Sequence, residues 1–516
     1  MRGLAASLAL VGGLLLSGCA ASELAAPDHR GGPAAAEFER VKTSPVELRM
    51  FLQRFPKGGD LHNHLSGAVY AEDFIGWAMA DGVCLDLDRM AAVAPPCDAD
   101  GGQPELADAL ARGQIGRDQL IDAWSMRNFV PGISAASGHA QFFDSFSLFD
   151  GAKRGQEMLA MAVENAAHQQ IGYLELMISP EMWSAQEIAR QVGGGGFEDL
   201  YRRLLAAGIE KLVPRASAQL DAMEAYTHQY FDCPASGAAA CDVEVRYLAQ
   251  VVRTVAPELV FAQSLLAFLL IEQEPRFVGL NFVAPEDHPV TLATYDAQME
   301  ALRFLAERRG SVPIALHAGE LTLGLVPPRY LRDHIRKAIE VAGARRIGHG
   351  VAIAFEQDAE KLLLEMAERP VVVEINLTSN DVILGVKGEE HPFETYRAYG
   401  VPLTLSTDDE GVSRGDLTRE YQRAVETYDL DYADILRLSR NALSYAFIEG
   451  TSLWQDPQRF EAVAVCRDDL SRPQDPDEVC AAFLAANPKA RLQWRLERQL
   501  AAFDAERAAL WRARMR

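Results

Sequence analysis

Gly59-Asp60-Leu61-His62-Asn63-His64 is the stretch that decides the fold. On an extended strand, residues two apart point to the same face, so His62 and His64 project together and can bind one ion. Alone, an H-x-H pair is a weak signal. It gains weight from seven further short apolar runs, each leading to a polar, functional-looking residue: 173–179, 245–252, 277–283, 313–317, 346–349, 371–377 and 402–407. Helical stretches separate them, with apolar residues at three- and four-residue spacing over 301–309, 330–341 and 358–367. Such alternation builds a parallel sheet or barrel, and eight units suit a (β/α)8 TIM barrel, whose strand C-termini converge on one mouth where catalytic residues collect.

Four more fragments fall at those strand ends: Leu316-His317-Ala318-Gly319-Glu320, Ile347-Gly348-His349-Gly350, Asn376-Leu377-Thr378-Ser379-Asn380 and Ser406-Thr407-Asp408-Asp409. A divalent metal that activates water needs a few nitrogen or oxygen ligands, one open position, and a separate group to move the proton. His62, His64, His317 and Asp408 are the candidate ligands, and Glu320 the candidate acid/base. A carboxylic acid placed there can protonate a ring nitrogen of a purine and make the neighbouring carbon electrophilic. His349 is expected to hold or help deprotonate the attacking water, and Asp409 to orient the base by a hydrogen bond. The plainer reading of Asp409 is a helix N-cap or solvated acid.

Two regions exceed a minimal barrel. Residues 65–172, between the first and second strands, are too long for a structureless loop and predict a helical lid or dimer element. Its Trp77, Trp124, Phe129, Phe142, Phe143, Phe146 and Phe149 are candidates to line a pocket for a planar base, although core packing is the commoner fate of such residues. Residues 186–240 predict added helices before the third strand, and 488–516 an amphipathic packing helix with a proline at its start. Gly193 to Gly196 lacks the Lys-Ser/Thr ending of a phosphate loop and reads as a flexible turn.

A formal charge of −23 over 516 residues argues against a polyanionic partner, so no nucleic acid polymer is expected. The first residues read as an export signal, with Arg2 followed by an apolar stretch from Leu4 to Leu16 that is too short to span a bilayer. Leu16-Ser17-Gly18-Cys19 resembles a bacterial lipobox. That resemblance implies a signal peptide at 1–19, lipidation of Cys19, a membrane anchor and, with Ala20 following, outer-membrane sorting; 20–45 then reads as a flexible tether and 46–516 as the barrel domain. An ordinary secretory peptide is the alternative. The six remaining cysteines fall into local pairs, predicting disulfides Cys84–Cys97, Cys233–Cys241 and Cys466–Cys480.

Pro56-Lys57-Gly58-Gly59-Asp60-Leu61-His62-Asn63-His64-Leu65-Ser66-Gly67-Ala68, the His-Ala-Gly-Glu run, Gly-His-Gly and Ser-Thr-Asp-Asp together resemble the adenosine deaminase family, over roughly residues 56–450 and in the family's order. The Pro-Lys-Gly-Gly start is especially similar to its exported, growth-factor-type branch. The resemblance implies one Zn2+ per chain, held by His62, His64, His317 and Asp408. It also implies Glu320 as proton donor, His349 as water-orienting base, Asp409 as purine contact, and hydrolytic release of ammonia from adenosine or deoxyadenosine. Two positions depart from the pattern. Ser66 stands where the family usually has an acid that contacts the ribose, and Ala284 replaces the glycine whose backbone approaches the purine. Both leave a modified adenosine or another aminopurine open as substrate. The rivals are a two-metal amidohydrolase, disfavoured because 277–283 holds neither Lys nor Glu, and a lipoprotein that binds nucleosides without turnover. A cytidine-deaminase type would need P-C-x-x-C, which the chain lacks.

Overall fold

The computed structural model describes residues 31–470, 472 and 475–514. The expected signal peptide and the lipidation site Cys19 lie outside them.

Eight parallel strands form a closed barrel: β1 Gly58–His64, β2 Ile171–Ile178, β3 Glu244–Val252, β4 Phe277–Val283, β5 Ala315–Ala318, β6 Arg346–His349, β7 Val372–Ile375 and β8 Leu403–Leu405. Each of the eight expected runs overlaps one. Strands β1 to β4 and β5 to β8 pair in sequence order, and two isolated parallel bridges join the halves, Leu280 with Ile314 and Asn63 with Asp408. The runs are apolar because barrel strands are covered on both faces. Val-Val-Glu-Ile of β7 and Phe-Val-Gly-Leu-Asn-Phe-Val of β4 are buried at every position. The outer helices follow the expected periodicity, and several start on proline, among them Pro257–Gln273 and Pro289–Arg309, where the missing N–H is no loss.

The 65–172 insertion is helical around a short hairpin, Cys84–Asp86 with Ala91–Val93. Most of its aromatic residues are core. Phe149 stacks on Phe74 with ring centroids 4.6 Å apart, and buried Trp124 donates its Nε1–H to the Met90 carbonyl at 2.7 Å. Phe142, Phe143 and Phe146, on the helix Gly138–Leu148, turn toward the barrel mouth instead. The three disulfides Cys84–Cys97, Cys233–Cys241 and Cys466–Cys480 are all formed.

The expected tether at 20–45 is corrected over its described part. Pro33–Val41 is a helix that buries Ala34, Ala35, Phe38 and Val41. Phe38 packs on Phe51 and Tyr432, and Phe51 meets Phe503 of the C-terminal helix Pro488–Arg514. Alanine-rich composition suits a helix as well as a linker, and these distant aromatic partners decide between them. Lys57 is a second anchor. It is fully buried and donates to three backbone carbonyls, of Leu52 and Gln169 at 2.7 Å and Phe55 at 3.1 Å. Replacing Phe38 by Ala is expected to cost about 3 kcal/mol of folding stability, the usual loss for a buried phenyl ring. A urea titration reads it, and a loss under about 1 kcal/mol would return this segment to the tether.

Candidate active site

Strand ends at the barrel mouth bring His62, His64, His317 and Asp408 together, with ligand atoms within 4.8 Å of one another. Glu320 and His349 adjoin the same carboxylate.

Hydrogen-bond polarity at the outer ring nitrogens fixes what the cluster presents at its centre. His62 Nδ1 lies 2.6 Å from Glu374 Oε2, His317 Nδ1 2.9 Å from Asn281 Oδ1, and His64 Nδ1 3.2 Å from Gln250 Oε1. All three partners are acceptors, so each imidazole carries its proton on Nδ1 and turns a bare lone pair inward from Nε2. Those lone pairs face each other: His317 Nε2 is 3.0 Å from His62 Nε2 and 3.2 Å from His64 Nε2. Asp408 Oδ1, buried without a hydrogen-bond partner, lies 3.2 Å from both His62 Nε2 and His64 Nε2. Three lone pairs and an anionic oxygen this close repel unless a cation sits among them, so the donor set fits one metal ion. Burial alone would lower the His62 pKa, but the Asp408 and Glu374 carboxylates outweigh it and lift the ring to about 10, the same demand for positive charge in another form. The carboxylate and the two amide oxygens behind the rings orient them as such partners orient metal-ligating histidines.

Glu374 is itself braced by Arg346, which also holds Glu175 inside the barrel, each at 2.6 Å. Ser379 donates to Asp408 Oδ2 at 2.7 Å. Gly348 makes room for the first ligand: a Cβ there would lie 2.5 Å from His62 Cε1. Gly67 does the same for Asp409, whose Oδ1 would lie 1.6 Å from such an atom.

Glu320 follows His317 on the loop leaving β5. Glu286 accepts the backbone N–H of Gly319 at 3.1 Å and of Glu320 at 2.8 Å, and is held in turn by His334 at 2.6 Å. Burial, reinforced by the Asp408 carboxylate, pushes the Glu320 carboxyl well above the usual carboxylate range, which favours its protonated form. Burial likewise raises Asp409 to about 8, which gives it an O–H to donate. His349 is kept neutral, burial lowering it to about 3.

The tautomer of His349 is set from a distance. The Phe393 N–H donates to His391 Nδ1, His391 Nε2–H donates to Asn380 Oδ1, and Asn380 Nδ2 donates to His349 Nδ1 at 2.8 Å. His349 therefore carries its proton on Nε2, which points at Glu320 Oε1, 3.6 Å away, and Asp408 Oδ2, 3.9 Å away. At rest it is a hydrogen-bond donor to the reaction centre, which narrows the expected water-handling role to holding rather than deprotonating.

His64, His317, Glu320, Asp408 and Asp409 line a cavity of about 300 Å³, together with Ser66, Ala284, Gln250 and the phenyl rings of Phe142, Phe143 and Phe146. Ala284, His349 and Asp408 all have positive φ, at 75°, 70° and 59°. Left-handed backbone at non-glycine residues stores strain and gathers at functional sites. Sequence reasoning missed Glu374, Asn281, Gln250, Glu286 and His391, and it singled out the fragment that ends in Asn380 without giving that residue a role. The signal for the first two is a single polar residue inside an otherwise apolar strand.

Gly348→Ala is expected to displace His62, which Glu374 holds from behind, and so to lower metal affinity by ~10- to 100-fold. Metal content after dialysis and a competitive chelator titration report it. A full equivalent bound with unchanged affinity would show that the ring has room to move.

The family model described as adenosine deaminase matches residues 133–452, which run from before β2 to beyond β8. Adenosine deaminase of Clostridium perfringens is 32% identical over 179 residues, 34% of this chain and 50% of that protein, so the aligned stretch spans about half the length of that relative. Aminodeoxyfutalosine deaminase of Streptomyces coelicolor is 26% identical over 427 residues, 81% of this chain and 90% of that one. The crystal structure of adenine deaminase from Arthrobacter aurescens superposes with a TM-score of 0.51 at 16% identity, covering 83% of this chain and 99% of that one, and carries the fold alone. A family match that covers seven of the eight barrel strands, and includes His317, Glu320, His349 and Asp408, places the assignment on the fold as well as the motifs: the chain belongs to the adenosine deaminase family.

Proposed function

We propose that this protein is a zinc-dependent hydrolytic deaminase of purine nucleosides, releasing ammonia from adenosine or deoxyadenosine. The observation that carries the reading is the meeting of three imidazole lone pairs and the unpartnered Asp408 oxygen beside the buried Glu320 carboxyl, whose surroundings favour its protonated form. One zinc ion per chain, held by His62, His64, His317 and Asp408, would supply Lewis acidity that activates water at neutral pH. The rest is the work of the chain's own groups. Glu320 gives its proton to the ring nitrogen beside the reacting carbon, the His349 Nε2–H holds the incoming oxygen, and Asp409 donates to a second base nitrogen. Phe142, Phe143 and Phe146 roof the cavity and supply an apolar face for a planar base.

The substrate is an aminopurine in a wider sense as well. Relatives are named for adenosine and for aminodeoxyfutalosine, which supports keeping more than one aminopurine open. Ala284 narrows the choice here: it lines the cavity with φ at 75°, its carbonyl held by Arg253 at 2.9 Å, and its methyl group occupies room that glycine would leave. Export to the outer membrane on a lipidated Cys19 belongs to the same proposal, supported by three disulfides, which form and persist in oxidising compartments.

Ammonia release by the zinc-loaded protein across adenosine, deoxyadenosine, methylated adenosines, adenine, guanosine and cytidine tests the reading. Turnover of an adenine compound is expected, with a loss of at least ~10²-fold in Glu320→Ala. Silence across the panel would bring forward a nucleoside-binding lipoprotein. Ala284→Gly should relieve about 1 kcal/mol of backbone strain and raise kcat/KM for adenosine; a fall in both stability and kcat/KM would mean that the methyl packs on the base rather than obstructing it.

A further inference from the structure

A second cavity, also of about 300 Å³, adjoins the one that holds the ligand cluster, and Ser66, Lys153 and Gln250 line both. The boundary is therefore one small side chain and two flexible ones. Beyond it the walls mix apolar side chains, Met158, Met177, Leu220 and Met223, with the polar Ser179 and Gln219.

Charge is distributed unevenly along this double cavity. Glu320, Asp408 and Asp409 crowd the reacting end. Lys153 is the single Lys or Arg of either lining, and the second lining includes no carboxylate. In a protein of net charge −23, a cavity lined by a cation alone runs against the surrounding field and favours an anion. The ammonium is available for one. It lies 5.4 Å from the centre of the Phe149 ring and pairs with Asp150 at 2.8 Å, but that carboxylate is 72% exposed. Such a pair is worth at most ~1 kcal/mol, so a ligand anion can replace it. Gln250 uses its oxygen on His64, which leaves its amide N–H2 as a donor. Ser66 adds a hydroxyl without charge, where a carboxylate would repel an anion.

In a purine placed with its six-membered ring against Glu320, the sugar leaves from the five-membered ring, on the edge away from the reacting carbon. Resting on the deaminase reading above, we propose that the two cavities form one extended site for an adenine nucleoside whose sugar carries an anionic group, phosphate or carboxylate, selected over the plain nucleoside by Lys153, Ser66 and Gln250.

The test uses the full zinc-loaded chain. Adenosine, adenosine 5′-monophosphate and 5′-deoxyadenosine bearing a 5′-thioether arm that ends in a carboxylate are compared by kcat/KM. Their dissociation constants are measured by calorimetry in the Glu320→Gln background. At least one anionic compound is expected to exceed adenosine by ~10-fold or more, as a charge-assisted contact allows. Lys153→Gln should bring that ratio close to one, and Lys153→Glu should invert it. Preference for the monophosphate would place the anion at the boundary, and preference for the long arm would place it inside the second cavity, where Met223→Trp should then remove the advantage. Adenosine bound as well as both anions, or a ratio that Lys153→Gln leaves unchanged, overturns the proposal. Absence of turnover on every compound retires the deaminase reading instead, while the binding ratios still decide the anion site.

Discussion

Two backbone hydrogen bonds close the barrel, from the His64 N–H to the Asp408 carbonyl at 3.0 Å and from the Asp408 N–H to the His62 carbonyl at 2.9 Å, and the site depends on them. The three residues that join the last strand region to the first are also three of the four candidate ligands. Closing the sheet and assembling the donor set are thus one event. Asp408 makes this junction in a left-handed conformation that costs ~1–2 kcal/mol, a strain that the ladder on either side holds in place. Slippage by one residue would turn both histidines of β1 into the outer helical layer, because side chains alternate faces along a strand.

A second layer converts that geometry into chemistry. Glu374, Asn281 and Gln250 each present an acceptor to an outer imidazole nitrogen, which commits all three inner nitrogens to the same role. The opposite polarity holds at His349, where an amide donor forces the proton to the inner nitrogen. One set of four neighbouring imidazoles is thereby divided into three electron-pair donors and one hydrogen-bond donor. The division is made by oxygen and nitrogen atoms that lie outside the reaction space.

Much of this was legible in the sequence, for physical reasons. Barrel strands buried on both faces leave short apolar runs, so all eight could be located. Their ends were less certain: 402–407 contains only Leu403–Leu405 as strand, because the chain leaves the ladder early to turn Asp408 inward. Local cysteine spacing sufficed for the disulfides, whose partners lie within 14 residues. The helix Pro33–Val41 was not legible, since what orders it is an aromatic cluster drawn from far along the chain. Nor were Glu374 and Asn281, whose meaning appears only when the inside of the barrel is known. The roof was half legible: seven aromatics stood out in the insertion, and only the path of Gly138–Leu148 tells which three face the cavity.

The packing of the first described helix against the last has a consequence for how the chain is made. Ala34 donates its N–H to Asp504 at 2.9 Å, and Phe51 and Phe55 both pack on Phe503. A nascent chain emerges with its N-terminal aromatic residues first and their partners last, and the opening strand likewise waits for the eighth. Loop-closure entropy of that span is met only once Phe503 and Asp504 are available to pair. The contacts of the N-terminal helices with Phe503 and Asp504 are therefore among those of longest sequence separation, and they stay unmade until both segments are present. That interval is the window in which a holding chaperone or a translocation machine can still handle it as an open polypeptide.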